Sequence, residues 1–168
     1  NSRGNERKFK IKGSNLKITR AIIMTPNELI KIGSNFLKIN NIKSHLIDSE
    51  LILSSVSGRK REDILVNTNF CMNPAQINTF NNLIYRRAKG KEPIAYLLNS
   101  KEFWSINFGV NKDVLIPRPE TEILVASLVK YFKNQSPFIL DIGTGSGCIL
   151  ISLLQELKKS KGVAIDIS

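Results

Sequence analysis

The sequence predicts an α/β chain in three parts: a small N-terminal helical bundle, a β-hairpin linker, and the first β-α-β unit of a parallel sheet. Three observations carry this reading. Apolar residues recur at helical spacing from Thr25 to about Gly90. The period then shortens to that of strands. From Phe138, a short apolar run leads through a glycine-rich turn into a helix and a second apolar run.

The chain opens with a basic head. Residues 1–23 carry Arg3, Arg7, Lys8, Lys10, Lys12, Lys17 and Arg20 against Glu6 alone, so this head holds +6 of the formal net charge of +11 and leaves +5 for the remainder. It has no helical or strand period and no aromatic residue beyond Phe9, and it reads as a disordered arm. Met24 follows directly, and the expectation is that the native protein starts there, with residues 1–23 derived from upstream sequence.

Residues 24–90 form the bundle. Thr25-Pro26-Asn27-Glu28 is a capping box with proline at the first helical position, and Leu29, Ile32, Phe36 and Leu37 make one apolar stripe. Leu46, Ile47, Leu51 and Leu53 make the next, and a short third helix covers Arg61 to Val66. A fourth starts at the cap Asn73-Pro74, runs through Ile77, Phe80, Leu83, Ile84 and Ala88, and ends at Gly90. These apolar residues read as core.

Residues 91–116 read as the hairpin linker. Phe103, Trp104, Ile106, Phe108 and Val110 form one strand-like run, Asn111-Lys112-Asp113 offers the turn, and Val114-Leu115-Ile116 returns. Phe103 and Trp104, with Lys101 and Lys112 nearby, could stack on bases, but aromatics in a hairpin more often pack on their neighbours. Residues 117–168 begin with Arg118 between Pro117 and Pro119. Glu120-Thr121-Glu122 then opens a helix carrying Leu124, Val125, Leu128 and Phe132, its carboxylates complementing the helix dipole.

Composition excludes several functions. With 42% hydrophobic residues, the chain has the balance of an ordinary globular protein. Its longest apolar stretch, Cys148 to Leu154, is far short of a membrane span and is interrupted by Ser152. Cys71 and Cys148 form no Cys-x-x-Cys, and His45 is the only histidine, so no metal site is expected and a reducing cytoplasm fits best. His45 has no nucleophile signature beside it. Nucleic acid is expected to be a partner only through the basic head, and the chain is expected to be a monomer.

The chemistry concentrates near the end. Phe138-Ile139-Leu140 is suited to a buried parallel strand, and it leads into Asp141-Ile142-Gly143-Thr144-Gly145-Ser146-Gly147 and a helix from Cys148 to Lys158. Glycines let the backbone turn tightly and approach a ligand closely, and the helix start adds outward N–H groups. A second strand, Val163-Ala164-Ile165, ends at Asp166, 23 positions beyond Gly143. A carboxylate there can accept hydrogen bonds from both ribose hydroxyls of a nucleoside laid across the strand ends. The dinucleotide fingerprint Gly-x-Gly-x-x-Gly would need glycine or alanine where Cys148 stands, and a P-loop would need a lysine that this turn lacks.

Asp-x-Gly-x-Gly-x-Gly resembles the S-adenosylmethionine loop of class I, Rossmann-like methyltransferases. The resemblance narrows when Gly90-Lys91-Glu92-Pro93-Ile94-Ala95-Tyr96, Glu102-Phe103-Trp104, Leu115-Ile116-Pro117-Arg118-Pro119-Glu120-Thr121-Glu122 and Asp141 to Gly147 are read in order. That order is similar to the HemK-type release factor glutamine methyltransferases, from about Thr25 to the last residue. The resemblance implies S-adenosylmethionine-dependent methylation of the side-chain amide of the glutamine in the Gly-Gly-Gln motif of peptide-chain release factors. By that resemblance Asp141, Gly143, Thr144, Gly145, Ser146 and Gly147 would approach the cofactor, Asp166 would hold its ribose, and Arg118, Pro119, Glu120, Thr121 and Glu122 would lie near the pocket.

An amide nitrogen is a poor nucleophile and must be oriented for in-line attack. The family does this with an Asn-Pro-Pro-Tyr motif that these 168 residues do not contain, so no catalytic residue is assigned. The expectation is an incomplete, inactive piece whose catalytic domain, residues 117–168, is less stable than the bundle. Two alternatives are a relic of a broken gene and a nucleic-acid or ribosome-binding module built from the basic head and the bundle.

Overall fold

The structure is a computed structural model that describes residues 24–67 and 70–167. The basic head, with the expectations attached to it, lies outside the described residues. The described chain is a mixed α/β fold with seven α-helices and two short sheets, consistent with an N-terminal helical region followed by the start of a methyltransferase-like unit.

Helices α1 (Pro26–Ile39), α2 (His45–Ser57), α3 (Arg61–Val66) and α4 (Pro74–Gly90) form the bundle. Both anticipated caps are present. Thr25 Oγ1 accepts from the Glu28 N–H while Glu28 returns a carboxylate to the Thr25 N–H at 2.9 Å, and Asn73 and Gln76 make the same reciprocal pair at 2.9 and 3.1 Å. Each satisfies donors that a helix start leaves orphaned. Leu29, Leu37, Ile52, Leu53, Phe80 and Ile84 close the core. α1 approaches its neighbours closely at Gly33, where a Cβ would lie 2.6 Å from Ser49 Oγ and 2.7 Å from the Phe80 ring.

The expected stripe of α2 needs correction. Leu46 and Ile47 are about half exposed, and the helix instead buries Asp48, Ser49, Glu50, Ile52 and Leu53. Hydrogen bonds make this possible. Asp48 accepts from Arg87 Nε at 2.6 Å and from the Ser44 hydroxyl at 2.9 Å, Glu50 accepts from Arg61 Nε at 2.7 Å, and the Ser49 hydroxyl donates to the Ile30 carbonyl at 3.1 Å. Buried polar groups are tolerated when so matched, and apolar periodicity cannot foresee them.

A short helix α5 (Ile94–Leu98) leads into β1 (Ser100–Phe103) and β2 (Ile106–Gly109), an antiparallel pair with Phe103 opposite Ile106. The hairpin therefore turns at Trp104-Ser105 and not at Asn111–Asp113. Both turn residues adopt positive φ, 52° and 58°, as the tightest hairpin connection requires. The Asn111 side chain does hold a turn by accepting from the Asp113 N–H at 2.9 Å, but Val114–Ile116 forms no returning strand.

A 3-10 turn (Pro119–Thr121) precedes α6 (Glu122–Tyr131), which leads to β3 (Phe138–Ile142), α7 (Cys148–Glu156) and β4 (Lys161–Ile165). Here α7 stops two residues short of Lys158, as the chain turns into β4 through a Ser160 N–H donated to the Leu157 carbonyl at 2.8 Å. β3 and β4 are parallel, with Leu140 opposite Val163 and Ile142 opposite Ile165. A second core joins Phe103 and Phe108 of the hairpin to Val125 of α6 and to Cys148 and Leu153 of α7. Phe103 is buried in it and Trp104 packs against it, so both rings serve packing.

One face of the small sheet lies under α7, close enough that a Cβ at Gly162 would sit 2.5 Å from Leu150 Cδ1. Among the described residues nothing packs on the other face, where Phe138, Leu140, Ile142, Val163 and Ile165 are exposed. No helix among the described residues is long and apolar enough to cross a membrane.

Candidate functional site

Parallel strands joined through a helix bring both C-terminal ends to the same edge, with the first loop lying across them. Asp141 to Gly147 is that loop. Gly143 and Gly147 adopt φ of +77°, a conformation that side-chain-bearing residues rarely take, and Gly147 there serves as the N-cap of α7. A Cβ at Gly143 would meet nothing within 4 Å, so this stretch of backbone is open to an approaching ligand.

Hydrogen bonds fix the loop from both sides. Gly143 and Thr144 donate their N–H groups to the Ile165 carbonyl at 2.8 and 3.2 Å. The Thr144 hydroxyl donates to Asp141 Oδ2 at 2.8 Å, and the Gly147 N–H returns to the Thr144 carbonyl at 2.9 Å. Asp166 spans the gap between the two motifs: its Oδ2 accepts from the Gly145 N–H at 2.7 Å and its Oδ1 from the Ile167 N–H at 2.8 Å. A carboxylate is an acceptor of the kind that hydroxyl groups of a ligand seek.

Beside these groups lies an open, shallow hollow lined by Ile142, Gly143, Ile165, Asp166 and Ile167, whose three isoleucines are exposed. The sequence-derived set therefore divides. Gly143 and Asp166 line the pocket, Asp141 and Thr144 brace the loop, Gly145 orients Asp166, Gly147 starts α7, and Ser146 has no assigned contact with the pocket. Arg118, Pro119 and Glu120 are exposed on the 3-10 turn, Thr121 and Glu122 are half-buried, and none of the five lines this pocket. Glu122 instead accepts the Trp104 N–H at 2.9 Å. Ile142 and Ile165 were not anticipated as lining residues, although their position as the last residues of two strands was a usable signal.

The arrangement offers apolar side chains for a flat ring system, a glycine backbone for close contact, and a carboxylate for hydroxyls.

Residues 28–98 match the family model described as PrmC N-terminal domain. The chain is 41% identical over 137 residues to a release factor glutamine methyltransferase of Buchnera aphidicola subsp. Acyrthosiphon pisum, covering 82% of this chain and 49% of the relative. It is 44% identical over 115 residues to the protein of that name from Coxiella burnetii, covering 68% and 41%. It is 40% identical over 152 residues to a bifunctional methyltransferase of Rickettsia prowazekii, covering 78% and 29%. The chain thus spans about half the length, or less, of these curated relatives. Through these matches the chain is similar, over 68–82% of its own length, to release factor glutamine methyltransferases.

Proposed function

We propose that the edge of β3 and β4 holds the nucleoside of S-adenosylmethionine, as the first β-α-β unit of a Rossmann-like catalytic domain. The whole protein then methylates the glutamine side-chain amide in the Gly-Gly-Gln motif of peptide-chain release factors, in the cytoplasm. The observation that carries the reading is the Asp166 carboxylate, aimed across the glycine loop by the Gly145 N–H beside an apolar pocket. The relatives' name, release factor glutamine methyltransferase, supports the substrate.

The residues present fit such a group. Gly143 leaves open space for the methionine portion, Asp166 places a carboxylate beside it that suits ribose hydroxyls, and Ile142, Ile165 and Ile167 provide apolar contact for the base. When bound, the cofactor supplies a methyl group activated by its sulfonium. This chain's residues bind and orient it: the loop bonds to the Ile165 carbonyl hold the glycine backbone in place, and the Thr144–Asp141 pair keeps the turn from collapsing into the site. Arg118 to Glu122 are assigned to the surroundings of the completed pocket. No Asn-Pro-Pro-Tyr occurs in the 168 residues, so cofactor binding, and not turnover, is assigned to them.

Calorimetric titration of the chain with S-adenosylmethionine, and in parallel with a nicotinamide dinucleotide, tests this. Saturable heat with the first and none with the second is expected. The reverse preference would overturn the reading.

A further inference from the structure

The motif Gly90 to Tyr96 has no part in the site described above, yet it is tied to that site through two residues. The Tyr96 hydroxyl on α5 donates to the Val114 carbonyl at 2.8 Å. Four residues earlier, Glu92 is gripped by Arg86 through Nε at 2.9 Å and a terminal nitrogen at 2.6 Å, and it also faces Lys112 Nζ at 3.7 Å. Among the described residues, these are the polar ties from residues 111–116 to the helical region. The segment itself is neither helix nor strand, but it is internally stiff. Asn111 accepts from the N–H of Asp113 at its side chain and from the N–H of Val114 at its carbonyl, at 2.9 and 3.3 Å.

Val114 in turn stands beside the glycine loop at Gly145. Val114 Cγ1 lies 3.9 Å from the position a Cβ at Gly145 would take, so the side chain stands beside the open side of the residue whose N–H aims Asp166. These groups follow one another in space: Tyr96 hydroxyl, Val114 carbonyl and side chain, Gly145 N–H, Asp166 carboxylate.

We propose that Tyr96 is a positioning residue which, acting through Val114, sets the pose of Gly145 and hence of Asp166, and so couples the helical region to the nucleoside site. This rests on the reading of that site given above. The physical reason is economy of restraint. Residues 111–116 have few anchors, so one phenol hydroxyl at a carbonyl decides where Val114 sits. A macromolecular substrate that shifts α4 or α5 on docking would be sensed at Gly145 through the same bond.

The test uses the full chain and Tyr96→Phe, which removes the hydroxyl and leaves the ring in place. Amide exchange in residues 143–147 is expected to quicken about threefold to tenfold, the range of one net hydrogen bond, while exchange in α1 to α4 stays unchanged. The dissociation constant for S-adenosylmethionine is expected to rise by a similar factor at unchanged melting temperature. Val114→Ala should reproduce both effects, and the double variant should be no worse than either single one, because both changes cut the same path. Unaltered exchange at residues 143–147 in Tyr96→Phe, or effects that simply add in the double variant, would overturn the proposal. Should the parent chain bind no S-adenosylmethionine, the reading of the site fails, and the exchange measurement alone decides whether the tether exists.

Discussion

The backbone N–H of Trp104 donates to Glu122 Oε1 at 2.9 Å, joining the tip of the β1-β2 hairpin to the first residue of α6. Trp104 and Ser105 both hold positive φ without being glycine, which costs of order 1 kcal/mol each. The Glu122 carboxylate helps offset that cost, and the Trp104 indole adds a bond to Glu156 Oε1 at 2.8 Å on α7. Removing the acceptor with Glu122→Ala is expected to destabilise the hairpin by about 2 kcal/mol. Trp104 is the chain's single tryptophan, so its fluorescence reports the change directly. An emission maximum and a melting curve identical to the parent's would contradict this role.

Gly33 marks a close approach within the bundle. A methyl group there must displace Ser49, Phe80 and Ile84 at once. Gly33→Ala is expected to cost about 1–3 kcal/mol of stability despite its better helix propensity, because overpacking outweighs the gain in propensity. Urea denaturation measures it, and a stabilised variant would show that the helices separate freely.

Asp48 is buried with its partner Arg87, at side-chain exposures of 4% and 18%. Cutting one member leaves a buried charge unmatched, so Arg87→Ala should lose about 3–5 kcal/mol. Replacing both by leucine should recover most of that loss, since the desolvation cost disappears with the pair. A double variant as unstable as the single one would contradict this argument.

The Arg86 guanidinium beside Glu92 holds its carboxyl below the usual carboxylate range, with Lys112 adding to the effect. A carboxyl whose pKa is lower in the folded state contributes stability above its unfolded value, and this is lost as pH falls through the folded one. Glu92→Gln should therefore be less stable than the parent at pH 7. The two should converge in acid, once Glu92 is protonated in both states. A difference that stayed constant down to the acid transition would exclude the ion pairs as its source.

The sequence made the local rules visible and left the tertiary ones hidden. Thr25-x-x-Glu28 and Asn73-x-x-Gln76 marked two helix starts because a cap is a bargain between residues three apart. The turn from β3 into α7 was legible for the same reason, since glycine at positions 143 and 147 is demanded by local backbone geometry. The hairpin was misplaced because Trp104 is not a turn residue by composition and neither Trp104 nor Ser105 favours the positive φ that both adopt. The conformation of Trp104 is held by Glu122 and Glu156, far along the chain. The polar interior of α2 was invisible for a similar reason, as Asp48 and Glu50 are buried only because Arg87 and Arg61 meet them. At the site, Gly143 and Asp166 could be named from spacing. The bond from Gly145 to Asp166 and the reach of Tyr96 to Val114 required the folded chain.

The central claim is that a sulfonium nucleoside sits at the C-terminal edge of β3 and β4. Titrating isotopically labelled chain with S-adenosylmethionine and following its amide resonances tests it most directly. The expected result is a saturable set of shifts confined to Gly143, Gly145, Asp166, Ile167 and their neighbours, with the amides of α1 to α4 unmoved. Shifts centred on the helical bundle, or none at saturating ligand, would contradict it.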